Sequence, residues 1–398
     1  MPFRESSRLE QRVALLADYD TGAFSVTELC ARYGVDRTTF YRWRDRRAEG
    51  EAVWFADRSH APLSCPHATA AGRCEVVIAV RRRFPHFGAK KVRAWLEMHR
   101  PGESWPAAST IGDILKREGL VRPRRRRRAS VELGIETSLP AAANAEWACD
   151  FKGWFRSRDG CRCDPLTISD AYSRYLLEVR IADPCTKEVR SVFERVFREH
   201  GLPDAIRCDN GSPFGSVGAG GLSRLSIWWL KLGVHPHYIP PASPQDNGRH
   251  ERMHRELKAQ TARPAAATLA EQQARFDLFR QHYNEERPHE ALGQRPPASC
   301  WEPSGRQMPP RIEEPWYDSD HQVRRVRGKG AIKWGGEEIF VGEALNGELV
   351  GLIEREDGAQ LVRFCNVDLG VIDRHGVFRR FAPRRHKLRK APEDPVEV

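Results

Sequence analysis

The sequence predicts a multidomain chain: two small α-helical units, an α/β core on a mixed sheet, and a small carboxy-terminal β-barrel. Three observations carry this reading. A length of 398 residues exceeds one compact unit. Apolar residues repeat at helical spacing through the first third, then give way after Ala145 to strand runs separated by helices. Beyond Trp301, short alternating runs recur between turn residues at Gly328, Gly335-Gly336, Asn346-Gly347 and Asp357-Gly358.

Composition narrows the class. Hydrophobic residues at 40% can bury real cores, and 30% charged residues argue against wholesale disorder. No run approaches the length of a membrane span and Met1 to Glu10 is polar, so neither a span nor a leader is expected, and the chain is placed in the cytoplasm. The ten cysteines form no CxxC pair, as expected of reduced thiols. Lys plus Arg number 65 against 54 acidic residues. Met1 to Ser130 holds 26 basic and 15 acidic residues, which leaves 39 of each in the remainder, so the excess of 11 lies in the first third. A basic amino-terminal region on a balanced body reads as a polyanion-binding arm.

The first segment reads as three helices. Leu9, Val13 and Leu16 are expected to form an apolar stripe on the first. Ser25-Val26-Thr27-Glu28 is a capping box opening a second helix with Leu29 and Cys30 inward, Gly34 turns the chain, and Asp36 caps a third. Phe40 and Trp43 face inward there, leaving Arg37, Thr38, Tyr41, Arg42 and Arg44 outward. Helix, glycine turn and basic helix describe a helix-turn-helix, whose outward side chains enter the major groove of duplex DNA. The alternative is a helical bundle with a solvated basic face. A second trihelical pattern follows, carried by Val76, Val77 and Val80, by Val92, Trp95 and Leu96, and by Ile111, Ile114 and Leu115, closed by Gly119. Arg124, Arg125, Arg126, Arg127 and Arg128 cannot pack together; they lie along a nucleic-acid backbone or form a plain spacer.

In the core, strands are expected at Ala145–Phe151, Leu166–Ser169, Tyr175–Val179, Ala205–Cys208 and Val234–Ile239, with helices at Thr186–His200, Leu222–Leu232 and from Pro244. The first three strands form a meander and the fourth follows a parallel crossover. Asp150 stands at the end of the first strand and Asp209 just past the fourth. Glu251 lies on the helix opened by Ser243-Pro244-Gln245-Asp246. Carboxylate oxygens without His or Cys company suit Mg²⁺ or Mn²⁺, and two such ions can serve both sides of a phosphodiester. Arg255 and Lys258 share the face of Glu251 and are candidates to hold DNA phosphates, Arg255 alternatively pairing with Glu251. Asp170, Asp246 and Glu256 are assigned duller roles as turn acceptor, cap and residue off the Glu251 face. His235, His237 and His250 read as structural or DNA-facing, Cys161 and Cys163 as turn residues, and Trp228-Trp229 as core.

Trp147-Ala148-Cys149-Asp150-Phe151, Cys208-Asp209-Asn210-Gly211 and Pro244-Gln245-Asp246-Asn247-Gly248-Arg249-His250-Glu251-Arg252 resemble the integrase-core signatures of bacterial insertion-sequence transposases. Tyr283-Asn284, Arg287-Pro288-His289, Ala291-Leu292 and Pro296 resemble the block that follows them. The resemblance implies a ribonuclease-H-like core with two divalent metals, Asp150 bridging them, Asp209 completing one site and Glu251 the other. It implies cleavage and transfer of strands between element ends and target DNA, by a homo-oligomer, with no membrane partner, in a nucleoid-associated setting. The expected domains are a helix-turn-helix at 1–58, a second such unit at 70–121, an arginine-rich linker at 122–142, the core at 143–302, an SH3-like barrel at 320–380 and a basic tail at 381–398. Forty-one residues separate Asp209 from Glu251, more than in the retroviral relatives, and the five glycines of 211–221 read as a flexible inserted loop. Two other readings are a non-catalytic DNA-binding regulator derived from a transposase, and a plain nuclease such as a ribonuclease H.

Overall fold

Ser7 and Ser25 each open a helix by accepting from the backbone three residues on, while Glu10 and Glu28 return the bond. The computed structural model describes residues 7–57, 68–121, 140–239 and 248–381. The arginine run 124–128, the start of the expected helix at 244–247 with Asp246, and the tail from 382 lie outside the described residues. The chain divides into two units, Met1–Ala70 and Ala71–Val398.

The first unit holds α1 (Arg8–Asp20), α2 (Val26–Tyr33) and α3 (Arg37–Ala48). Gly34 takes φ +64° at the end of α2, a left-handed turn that glycine adopts without steric cost, and the Asp36 carboxylate accepts from Thr38 N at 3.1 Å. Leu15, Leu16, Leu29, Cys30 and Phe40 form the core. The stripe expected on α1 is displaced: Leu9 and Val13 are 43% and 44% exposed. The inward face is Arg12, Leu15, Leu16 and Tyr19, because the Arg12 guanidinium stacks 4.7 Å above Trp43 and donates to Phe55 O, which turns the helix about its axis.

The second unit opens with α4 (Ala71–Arg83), α5 (Ala89–His99) and α6 (Ala108–Arg117), packed through Val77, Val80, Val92, Trp95, Leu96, Ile111, Ile114 and Leu115. Next come β1 (Glu146–Phe151), a short hairpin β2 (Phe155–Arg156) and β3 (Arg162–Cys163), β4 (Pro165–Asp170), β5 (Leu176–Ile181), α7 (Thr186–His200), β6 (Ala205–Cys208), α8 (Arg224–Lys231) and β7 (His235–Tyr238). Two helices complete this part, α9 (Gly248–Thr261) and α10 (Leu269–Glu285). The sheet order is β5-β4-β1-β6-β7, with β1, β4 and β5 antiparallel and β6 and β7 parallel to β1. On one face, Val189, Phe193, Val196, Trp228 and Trp229 of α7 and α8 cover Trp147, Leu166 and Ile206. On the other, Met253, Leu257, Phe276 and Phe279 of α9 and α10 cover Leu176 and Val179. A sheet buried on both sides requires such near-continuous apolar strands. Cys163 belongs to that second core and is fully buried, so it is a packing residue rather than a turn residue; Cys161 is exposed.

The carboxy-terminal part contains β8 (Gln322–Arg325), β9 (Ala331–Trp334), β10 (Glu337–Phe340), β11 (Leu349–Glu354), β12 (Gln360–Phe364), β13 (Val367–Ile372) and β14 (Phe378–Arg380). They pair as an open five-stranded sheet, β14-β13-β12-β11-β8, and a separate ribbon, β10-β9. The described ladders do not close into the barrel that the turn spacing suggested, because that spacing counts strands and not which edges meet. The glycine-rich segment 211–221 is also not a free loop. Ala219 and Leu222 are buried with Val350, Leu352 and Leu369, Gly220 N donates to Phe381 O, and Lys231 pairs with Glu348 at 2.9 Å. Gly220 takes φ +63°, a left-handed conformation that glycine adopts without steric cost, where the segment lies against Leu369 of the second sheet.

Candidate active site

The parallel pairing of β1 with β6 sets Ala148 beside Arg207, and two residues further on each strand stand Asp150 and Asp209. Beneath them the free cysteines Cys149 and Cys208 meet; Cys149 is buried, and burial, its hydrogen bond with Cys208 and the charges of both aspartates push its thiol well up, so it stays protonated. The two carboxylates therefore flank one point at the end of the sheet. Asp150 is half-buried and Asp209 exposed. Enclosure of its carboxyl by the neighbouring turns raises Asp209, opposed by Gly211 N, which donates to it at 3.3 Å. Asn210 Nδ2 donates to Ile239 O at 2.7 Å and ties that turn to the end of β7.

Glu251 reaches this region from the other side of the sheet. Its helix docks on β4 through Thr167, the register partner of Asp150. The Thr167 hydroxyl donates to Asp150 O at 3.0 Å and lies 2.7 Å from both His250 Nε2 and His254 Nε2. His250 Nδ1 lies 3.3 Å from Ser169 Oγ, and His254 Nδ1 lies 3.9 Å from Asp150 Oδ2. With the hydroxyl hydrogen used on the carbonyl, both Nε2–H groups donate to Thr167, which leaves His254 Nδ1 as an acceptor beside Asp150. Burial holds His250 down to about 3, with Arg207 adding, and His254 down to about 2, with His250 and Lys152 adding. Both rings are neutral near pH 7. Glu251 occupies the exposed outer side of the first turn of α9, between His250 and Arg252. Among the described residues, no group of three or more His, Cys, Asp or Glu side chains stands at metal-holding spacing. The structure thus sets Asp150 and Asp209 at neighbouring strand ends and Glu251 on the exposed side of the first turn of α9.

His254 is the residue that sequence reading missed. Its signal was available as the i, i+4 repeat of His250 and His254 around the acidic residue, which marks the docked face of α9. The other candidates fall as follows. His237 Nδ1 bonds Glu146 at 2.9 Å and His235 Nε2 lies 3.1 Å from Asn366, both structural contacts. Asp170 accepts from Ser173 and Asn144 as a turn acceptor, and Glu256 pairs with Arg287. Trp228 and Trp229 are core. Arg255 and Lys258 are exposed on α9. On α3, Arg37, Thr38, Tyr41 and Arg42 are exposed, while Arg44 is half-buried, stacked 4.8 Å over Tyr41 and held by Asp45.

A helix-turn-helix domain model matches residues 11–59, and two integrase core domain models match residues 140–244 and 232–297. The chain is 30% identical over 215 residues to an uncharacterized 31.7 kDa protein of insertion element IS407 from Burkholderia multivorans, covering 53% of this chain and 73% of that protein. It is 26% identical over 244 residues to an uncharacterized 39.2 kDa protein of insertion element IS476 from Xanthomonas euvesicatoria, covering 60% of this chain and 66% of that one. Among solved structures, the catalytic core domain of the HTLV-2 integrase in complex with magnesium aligns at 14% identity and TM-score 0.32, over 40% of this chain and 97% of that domain.

Proposed function

The chain belongs to the bacterial insertion-sequence transposases with an integrase-like core, and on that premise we propose that it binds the terminal inverted repeats of a mobile element, cleaves DNA there and transfers the strand into target DNA. The helix-turn-helix and integrase core domains imply DNA binding. The single observation that carries the catalytic reading is the β1–β6 register, which brings Asp150 and Asp209 to neighbouring strand ends with α9 docked on Thr167 opposite.

The donor set fits hard divalent cations: carboxylate oxygens at the rim, one of them raised by enclosure, with the neighbouring thiols of Cys149 and Cys208 buried beneath them. In this reading Asp150, Asp209 and Glu251 would hold two Mg²⁺ or Mn²⁺ ions. Bound there, the ions would polarise the scissile phosphate and lower the pKa of the attacking hydroxyl. Arg37, Thr38, Tyr41, Arg42 and Arg44 read the element end, and Arg255 and Lys258 hold phosphates beside Glu251. Hydrolysis at the end frees a 3′-hydroxyl, which attacks a target phosphodiester in line; one P–O bond forms as another breaks, without a covalent enzyme intermediate. Two ends must meet, so the working form is a homo-oligomer on DNA, in the cytoplasm on the nucleoid. No helix among the described residues is long and apolar enough to cross a membrane.

The test is strand joining by the purified protein with Mn²⁺ and duplex DNA bearing the element end. Product from the wild type, none from Asp150→Asn or Glu251→Gln, and duplex binding retained in both variants is the expected pattern. Binding without product from the wild type would leave a DNA-binding regulator instead.

A further inference from the structure

Four residues past Asp150, the β2–β3 hairpin turns an aromatic ring to solvent: Trp154 is 56% exposed. The hairpin itself is firmly seated. Its register partners Phe155 and Cys163 face the second core, Phe155 edge-on to Phe276 at 6.4 Å and Cys163 fully buried. Lys152 N donates to Pro165 O at 2.9 Å, Arg158 N to Ala266 O at 2.9 Å and Asp159 N to Ala267 O at 3.1 Å, which fixes base and tip. Strand alternation sends the other register pair, Arg156 and Arg162, to the outer face with Trp154. The Arg162 guanidinium lies 5.3 Å from the indole and that of Arg156 5.7 Å. Like charges directly opposite one another weaken a hairpin unless something negative covers them. Asp164 pairs with Arg162 at 2.6 Å, whereas Arg156 has only Gly160 O, at 2.6 Å. Asp159 is occupied by the Ser157 hydroxyl and Cys161 N. On the core side, Lys152 and Lys258 line one small cavity with Phe155 and Leu257, and Lys258 stands two turns along α9 from Glu251. The strand that carries Asp150 and the helix that carries Glu251 therefore both run to this hairpin. Lys152, Arg156 and Lys258 form no ion pair among the described residues.

We propose that Trp154 and Arg156 form a platform for one unpaired base of the DNA strand held at the active site, with Lys152 and Lys258 on the flanking phosphates. It rests on the DNA-transposase reading and deepens it by naming the form of DNA bound there. A base inside a duplex has both faces covered by its neighbours, so an indole in solvent stacks only on a base that has left the helix, and a guanidinium beside the ring widens the platform. Lysines at its edge supply the positive charge that the strand's phosphates require. Four residues of chain span at most about 14 Å, so the platform sits within about four base steps of Asp150. The strand is thereby gripped as a splayed end close to the cut.

Full-length protein and two duplexes of the same arbitrary sequence test this, one blunt and one forked by a few unpaired thymidines on each strand. Trp154→Ala should lose roughly five- to hundredfold in affinity for the forked duplex, the worth of one base–aromatic stack, and change little on the blunt one. Trp154→Phe should keep most of the forked-duplex affinity. The part of the wild-type tryptophan emission that Trp154→Phe lacks should be quenched by forked DNA and not by blunt DNA. Without DNA, Trp154→Ala should melt with the wild type, since the ring is largely exposed. Equal loss on both duplexes, or unchanged affinity for the forked one, would overturn the platform while leaving the transposase reading intact. Should Trp154→Ala instead unfold, the quenching decides: emission that forked and blunt DNA leave alike would make Trp154 a structural residue and overturn the platform. A wild type that binds neither duplex would overturn both readings.

Discussion

Acidification from pH 7 to pH 5 should weaken the core through the two histidines that dock α9. In the folded chain His250 and His254 stay neutral, held to about 3 and about 2 mainly by burial. Unfolded, each takes up a proton near its ordinary value of about 6.5. A base whose folded pKa is depressed leaves the unfolded state richer in protons, so the contribution is whole above about pH 6.5 and falls away as pH drops toward the folded values. Between pH 7 and 5 the unfolded state gains about 2 kcal/mol per histidine, about 4 kcal/mol for the pair, against a typical total of about 5–15 kcal/mol. Urea unfolding followed by tryptophan fluorescence suits the measurement, since Trp147 and Trp229 are fully buried on the opposite face of the same sheet. The pH-induced loss in wild type should exceed that in His254→Gln by about 2 kcal/mol, other titrating groups cancelling in the difference. Equal losses in the two proteins would refute the argument that His254 is buried neutral against Thr167.

Thr167→Val removes the oxygen that accepts from both histidines and should cost about 1–3 kcal/mol in urea unfolding, a similar amount at pH 5 and pH 7, since both rings stay neutral in the folded state at either pH. Leu369→Ala opens a cavity where the carboxy-terminal sheet packs on the 219–222 segment, and should cost about 2–5 kcal/mol by the same measurement. Arg42→Ala, changing an exposed side chain of α3, should weaken binding to element-end duplex by about 1–3 kcal/mol and to random duplex by less, read by competition titration.

Local chemistry was the legible part of this chain. Ser25 and Glu28, Gly34 and Asp36 cap and turn as their residue types require, and those bonds span only a few residues. The strand that carries Asp150 and the one that Asp209 follows were readable from apolar runs bounded by turn residues, and so was the parallel crossover through α7 that leads into β6. Less legible was rotation about a helix axis. Val13 reads as an inward residue until Arg12 is seen stacked on Trp43, a contact made by a chain segment thirty-one residues away. The glycines of 211–221 look the same whether they free a loop or allow a flat packing surface, and only the second sheet against Leu222 distinguishes the two. His254 escaped notice for a related reason, because its role comes from Thr167, a partner eighty-seven residues distant.

By itself, then, the sequence determined the order of helices and strands, the basic amino-terminal third, and which acids stand at strand ends, since each follows from propensity, capping and side-chain period over short spans. Only the tertiary structure decided that β1 and β6 lie side by side so that two of those acids flank one point, and that α9 hangs from a buried threonine. These are pairings between distant segments, set by which apolar faces bury against one another and which charges find a partner, and short-range periodicity carries no record of either.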